Sequence, residues 1–227
     1  MKKIILSLLV ATIAIIADAQ VHFAPEIGWN YSNFDIYSDG NQSATNYKEG
    51  IVAGGFIQSG FTNRLFLQSG LYFRQNGCVM ANGESIKYNS IQFQANINGK
   101  YEQDYESAFM SYAGFSPYVA YNYSGTIKHD GSSSLLKFGS GKMDSSGNID
   151  KIKAFDYGLG ANFGIIHSSG FFVRIWLQCS LNNIDKWFAT NYIRPYSGGA
   201  SIGYIIGYSK GHKDEKIRAP YRNRYRN

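Results

Sequence analysis

Eight stretches of this chain place apolar residues at every second position and carry no charge on that flank. Successive side chains of a β-strand point to opposite faces, so each stretch reads as a strand with one fully apolar side. The clearest cover residues 65–73, 91–97, 109–121, 155–165, 171–181 and 200–208; residues 21–31 and 51–61 repeat the rhythm with more interruptions. In one of them Phe171, Val173, Ile175, Leu177, Cys179 and Leu181 alternate with Arg174, Gln178 and two aromatics, Phe172 and Trp176.

A soluble β-sandwich alternates as well, so the other face decides the solvent. That face is mostly small or amide: Gln68 and Gly70; Gln92, Gln94 and Asn96; Gly158, Gly160 and Asn162; Ser201 and Gly203. Water-facing positions would be rich in Lys, Glu and Thr, whereas this composition suits a narrow, crowded lumen. The uncharged flank suits hydrocarbon, where one Lys or Arg near the midplane costs about 2–4 kcal/mol. The pattern predicts an all-β fold, an eight-stranded antiparallel transmembrane β-barrel, the even strand number being what a closed bacterial barrel requires. Phe66, Phe172 and Trp176 fall on the polar side and read as exceptions at strand ends.

The chain divides into three segments. Lys2 and Lys3 precede an apolar run over residues 4–16, and Ala17-Asp18-Ala19 supplies a small-x-small cleavage pattern, so residues 1–19 read as an export signal peptide. The run is shorter than the ~20 residues a membrane-spanning helix needs. Residues 20–208 form the barrel and residues 209–227 a basic tail. Of the formal net charge of +6, the signal carries +1 and the tail +5, so the barrel is neutral. The tail ends IRAPYRNRYRN. Interleaved Arg and Tyr can bind nucleic acid by phosphate contact and stacking, but on the periplasmic side such a segment meets anionic headgroups, peptidoglycan or a protein, and nucleic acid is not an expected partner.

Connections alternate between short and long, as they do between the periplasmic turns and outer loops of such barrels. Residues 62–64 and 167–170 are short, and residues 99–107 form a longer acidic turn with Glu102, Asp104 and Glu106. Outer loops are expected over residues 33–48, 76–85, 125–152 and 183–191. Pro117 interrupts the fifth strand and predicts a bulge, since proline removes a ladder donor.

The segment LFLQSGLYFRQNG over residues 65–77 resembles the third-strand pattern of the PorT-like outer-membrane β-barrel family. Further segments keep the family's order: YNSIQFQANINGKY (residues 88–101) resembles its fourth strand, GFSPYVAY (residues 114–121) its fifth, FDYGLGANFG (residues 155–164) its sixth and LNNI (residues 181–184) the close of its seventh. Gln92 stands where the family often has Pro, and the chain runs nineteen residues past Tyr208. The resemblance implies residence in the cell outer membrane of a Gram-negative bacterium and an accessory role in protein secretion.

Within the strands, Glu26, Arg74, Asp156 and Arg174 are the charges assigned inward, two of each sign, and they predict a lumenal ion-pair network because an unpaired buried charge is strongly destabilising. An eight-stranded barrel has an interior that side chains fill. The expected function is therefore structural or partner-binding, through outer loops or the tail, with outer-membrane lipid as surroundings; the alternative is a narrow, porin-like channel for small solutes. No enzyme, cofactor or metal site is expected. His22, His129, His167 and His212 are scattered, and the run His129-Asp130-Gly131-Ser132 is local, whereas triad members come from separate segments. Cys78 and Cys179 belong to non-neighbouring strands, out of disulfide reach, and are expected free.

Overall fold

The computed structural model describes residues 21–38, 41–60, 62, 64–81, 83–101, 108–129, 131–138, 151–183 and 192–208. The export signal, the basic tail, the acidic turn with Glu102, Asp104 and Glu106, and residues 184–191 lie outside them.

Period-two patterning yields strands where it is strongest: β1 (His22–Ser38), β2 (Thr45–Gly60), β3 (Leu65–Met80), β4 (Ser85–Tyr101), β5 in two pieces (Phe109–Phe115 and Tyr118–His129), β6 (Phe155–His167), β7 (Phe171–Ser180) and β8 (Tyr192–Tyr204). Each pairs antiparallel with its neighbour in sequence, and β8 returns to β1 from Glu26↔Gly203 to Tyr37↔Tyr192, closing a ring of eight among the described residues. The fold is an all-β, eight-stranded antiparallel barrel. Its polarity is inverted relative to a soluble protein. Ile175 is 54% and Leu177 71% exposed on the outside, while Gln68, Arg74, Asn96 and Arg174 are at most 1% exposed within. No helix among the described residues is long and apolar enough to cross a membrane; the strands supply the apolar surface.

The bulge expected at Pro117 does not form: Phe115 pairs with Ala161 and Ile97, and Tyr118 with Gly158 and Gln94, so the register is unchanged across the proline. Ser116 exchanges both backbone bonds with Gly160 (2.8 and 2.9 Å), and the Pro117 carbonyl accepts from the Ala95 N–H at 3.1 Å, so β5 continues as one barrel strand across the break. The lumen is narrow enough that glycine is demanded in places. A Cβ on Gly164 would stand 2.3 Å from Cζ of Tyr112. At the tight turn between β6 and β7, Gly170 takes φ +97, a conformation other residues adopt only with strain.

Three features depart from the sequence reading. Two of the expected outer loops, residues 33–48 and 76–85, are largely strand: β3 runs to Met80 and β4 resumes at Ser85, so most of residues 76–85 belongs to a continuous hairpin. With 16 and 17 residues, β3 and β4 overshoot the 9–11 that suffice to cross a bilayer. In this overshoot the outward positions become polar (Asn89, Lys87, Ser85) and the inward ones apolar (Tyr88, Ile86). Alternation persists with reversed chemistry, as a sheet in water requires. Second, Tyr123 is an extra residue of β5: Asn89 pairs with Ser124 and Ser90 with Asn122. This bulge shifts the phase, so that Asn122 before it and Ile127 after it both point inward. Third, β8 ends at Tyr204; Gly207 turns the chain with φ +73, and Tyr208 packs under the barrel, its hydroxyl 3.7 Å from Met110 Sδ, instead of continuing the outward row.

The interior is stacked in storeys. At the end bearing the short turns, Ala24, Phe56, Phe66, Met110, Tyr112, Ile166, Phe172 and Ile205 form an apolar cluster that continues inward to Val52, Tyr72 and Trp176. At the end bearing the long connections, Phe34, Cys78, Ile86, Tyr88, Ile127, Leu136, Ile152 and Ile193 form a second. Amides and charges lie between. Phe66, Phe172 and Trp176 are therefore lumenal packing residues, and Trp176 belongs to mid-strand. Cys78 is buried, Cys179 exposed and both are free.

A charge on the outer flank at mid-strand tests the inverted polarity. Ile175→Lys should lower stability by about 2–4 kcal/mol in urea unfolding from lipid vesicles, while Lys at the outward position Asn89, beyond the apolar band, should be tolerated.

Candidate functional site

Inward positions of β1, β3, β6 and β7 carry the four charges singled out from the sequence, and all four are buried. Glu26 and Arg174 meet directly: Arg174 Nε donates to Glu26 Oε1 at 3.0 Å, and Nη2 reaches Oε1 at 2.6 Å and Oε2 at 2.5 Å. Tyr72 and Ser201 complete the carboxylate's shell, Tyr72 donating to Oε2 at 3.1 Å and the Ser201 hydroxyl to Oε1. Arg174 Nη2 also donates to the Tyr72 hydroxyl at 3.0 Å. A bidentate, charge-assisted pair of this kind is the strong form of the interaction. Register explains the encounter. Gly203 of β8 stands between Glu26 and Phe172, and a Cβ there would lie 2.4 Å from Cζ of Phe172. The small residues of β8 thus let β1 and β7 reach across it.

Arg74 and Asp156 are held differently. Arg74 Nη2 donates to the neutral Gln94 Oε1 at 3.1 Å, its guanidinium lies 3.9 Å from the centroid of the Trp176 ring and 5.7 Å from that of Tyr72, and Nε and Nη1 have no hydrogen-bond partner. Asp156 accepts from the Tyr118 hydroxyl at 3.2 Å and from the Ser180 hydroxyl. Among the described residues the lumen therefore holds one ion pair, one arginine packed on aromatics and one acid ligated by hydroxyls. Around them runs an amide ladder. Gln68 donates to Gln58 at 3.0 Å, Asn98 to Gln68 at 3.1 Å, Gln94 to Asn96 at 2.6 Å, and Gln92 to both Gln94 and Gln178 at 3.1 Å.

Sequence reasoning missed Tyr72, Tyr118, Ser180, Ser201 and Trp176 as partners of these charges. Their inward phase was readable from alternation, but which charge each one meets depends on cross-strand register. His167 sits in the β6–β7 turn with Nδ1 2.7 Å from Ser169 Oγ, while His22 lies at the start of β1 and His129 at the end of β5. No group of three or more His, Cys, Asp or Glu able to hold a metal ion occurs among the described residues.

Removing one member of the buried pair strands the other. Arg174→Met should cost about 3–5 kcal/mol in urea unfolding from vesicles, and Glu26→Gln combined with Arg174→Met should cost less than the sum of the two single changes. Arg74→Met, which abandons no carboxylate, should cost about 1–2 kcal/mol.

Three solved outer-membrane structures align with the chain at low identity. Neisserial surface protein A is 13% identical over 81% of this chain and 96% of its own, with a TM-score of 0.42. OprG from Pseudomonas aeruginosa is 11% identical over 82% and 95%, with a TM-score of 0.46. Ail, the attachment invasion locus protein of Yersinia pestis, solved with the heparin analogue sucrose octasulfate, is 10% identical over 81% and 99%, with a TM-score of 0.36. No curated protein matches the chain. The family model described as outer membrane protein beta-barrel domain matches residues 17–186, most of the ring described above, and the chain belongs to that family of outer-membrane proteins.

Proposed function

We propose that the protein is a structural or partner-binding barrel of the PorT-like group within this family, accessory to protein secretion, and neither a conduit for solutes nor an enzyme. The observation that carries the reading is the packing of the tube at both ends. At one, Phe56 packs on Phe172 and Phe66 on Tyr112, each with ring centroids 5.3 Å apart; at the other, Phe34 packs on Tyr88 at 5.9 Å. An ion entering from either side would have to shed its water against aromatic and aliphatic side chains. The strand motifs over residues 65–77, 88–101, 114–121 and 155–164 support the PorT-like assignment. Against catalysis stands the scatter of His22, His129 and His167 over both rims.

The short turns face the periplasm and the strand extensions face outward, as the usual asymmetry of these barrels has it. Residues 1–19 act as the export signal, and Tyr208, the last described residue, lies at the short-turn rim, from which the basic segment follows in sequence. Partners then meet either the outer hairpins or the basic tail.

Planar-bilayer recordings test the closed lumen: the unaltered protein should be silent, and Phe56→Ala with Phe172→Ala should raise the frequency of brief openings. Conductance from the unaltered protein that falls when Arg74 and Arg174 are neutralised would establish the narrow channel instead. Crosslinking from the tail and from Leu135, which is 80% exposed on the outer hairpin, should recover protein neighbours; recovery of lipid alone would overturn the partner-binding role.

A further inference from the structure

We propose that Lys48, Lys87 and Lys128 form a three-strand cationic row that binds the phosphate groups of lipopolysaccharide in the outer leaflet. The inference rests on the orientation given under Proposed function. Lys48 leaves β2 and lies across Gly77 of β3, where a Cβ would stand 3.0 Å from Lys48 Cδ, so the glycine makes room for the lysine stem. Its Nζ donates to Ser85 Oγ of β4 at 2.5 Å. Gly77 pairs with Lys87, and Ser85 with Lys128 of β5, so the stem of Lys48, crossing β3, brings its ammonium to β4, beside Lys87 and next to the strand of Lys128. Burial, and after it the charges of Lys87 and Lys128, pushes the Lys48 ammonium below its ordinary value. Glu49, Glu84 and Asp130 are the acids nearest the row in sequence.

Depth selects the ligand. Ile91 is 47% exposed in the apolar band, and Lys87 lies four residues further out on β4. At ~3.3 Å per residue and a strand tilt of ~40°, that is about 10 Å beyond Ile91, within or just past a headgroup zone of ~5–8 Å per side. Lys128, opposite Ser85, stands about 5 Å further out, so the cations face the phosphates at the outer boundary of a multiply phosphorylated lipid head. A free phosphate has no anchor at that depth.

Binding of the purified full-length chain, in neutral detergent, to immobilised lipopolysaccharide and to its dephosphorylated form tests the row. Binding should be lost with the phosphates. With each lysine near an anionic surface worth roughly fivefold, Lys48→Gln, Lys87→Gln and Lys128→Gln together should weaken it about 100-fold. Lys128→Gln alone, at an exposed position, should weaken it about fivefold, which keeps the test open if the triple variant folds poorly. Both variants should keep the parent's heat-modifiable gel migration. Lys100→Gln, at the opposite rim, should bind as the parent does. Equal binding to the dephosphorylated form, full binding by the triple variant, loss of binding in Lys100→Gln, complete competition by inorganic phosphate, or preference for soluble heparin would each overturn the proposal. A conducting barrel would overturn the reading of the lumen and leave this one standing.

Discussion

A sheet immersed in hydrocarbon cannot keep an edge, because each unpaired N–H and C=O there costs several kcal/mol. The protein meets that constraint by joining β8 to β1 through register pairs from Glu26↔Gly203 to Tyr37↔Tyr192. The Glu26–Arg174 ion pair spans β8, tying the first strand to the seventh across 148 residues of sequence. Closure is thus supported twice, by the backbone ladder and by a buried bidentate contact that forms only when both strands flank the last one. Glycines and serines of β8 are what bring the two side chains within reach.

The two arginines of the lumen show how differently one residue type can be accommodated. Arg174 has a carboxylate, a phenol and a serine hydroxyl gathered at its pair. Arg74 has one amide oxygen and the face of Trp176. Cation–π contact in a desolvated site is worth roughly 2 kcal/mol, well short of the cost of burying a bare ion.

Much of this was readable from alternation alone. The outward flanks of β6 and β7 follow residues 155–165 and 171–181 position by position, and inward burial of Gln68, Gln92, Gln94, Asn96 and Asn162 follows from the same phase. Strand ends were not readable in the same way. The eye follows apolar residues outward until they stop, and at Asn89 they stop because the solvent changes while the strand goes on. Trp176 and Phe172 misled for a related reason: a lumen filled by side chains has no need to be polar throughout. Partner identity within the lumen, such as Tyr118 for Asp156 or Tyr72 for Glu26, depends on stagger between strands, which no single strand encodes.

The surplus residue at Tyr123 carries a rule for how this barrel can change. Beyond it, β5 presents its odd positions to the interior, and before it the even ones, so one residue separates two parities. Inserting or deleting a single residue further out would turn Ile127 toward water and Lys128 toward the core. Drift in hairpin length is thereby confined to steps of two, or to paired events in which a second bulge arises, and lineages that have altered the outer hairpin should carry that arithmetic in their sequences.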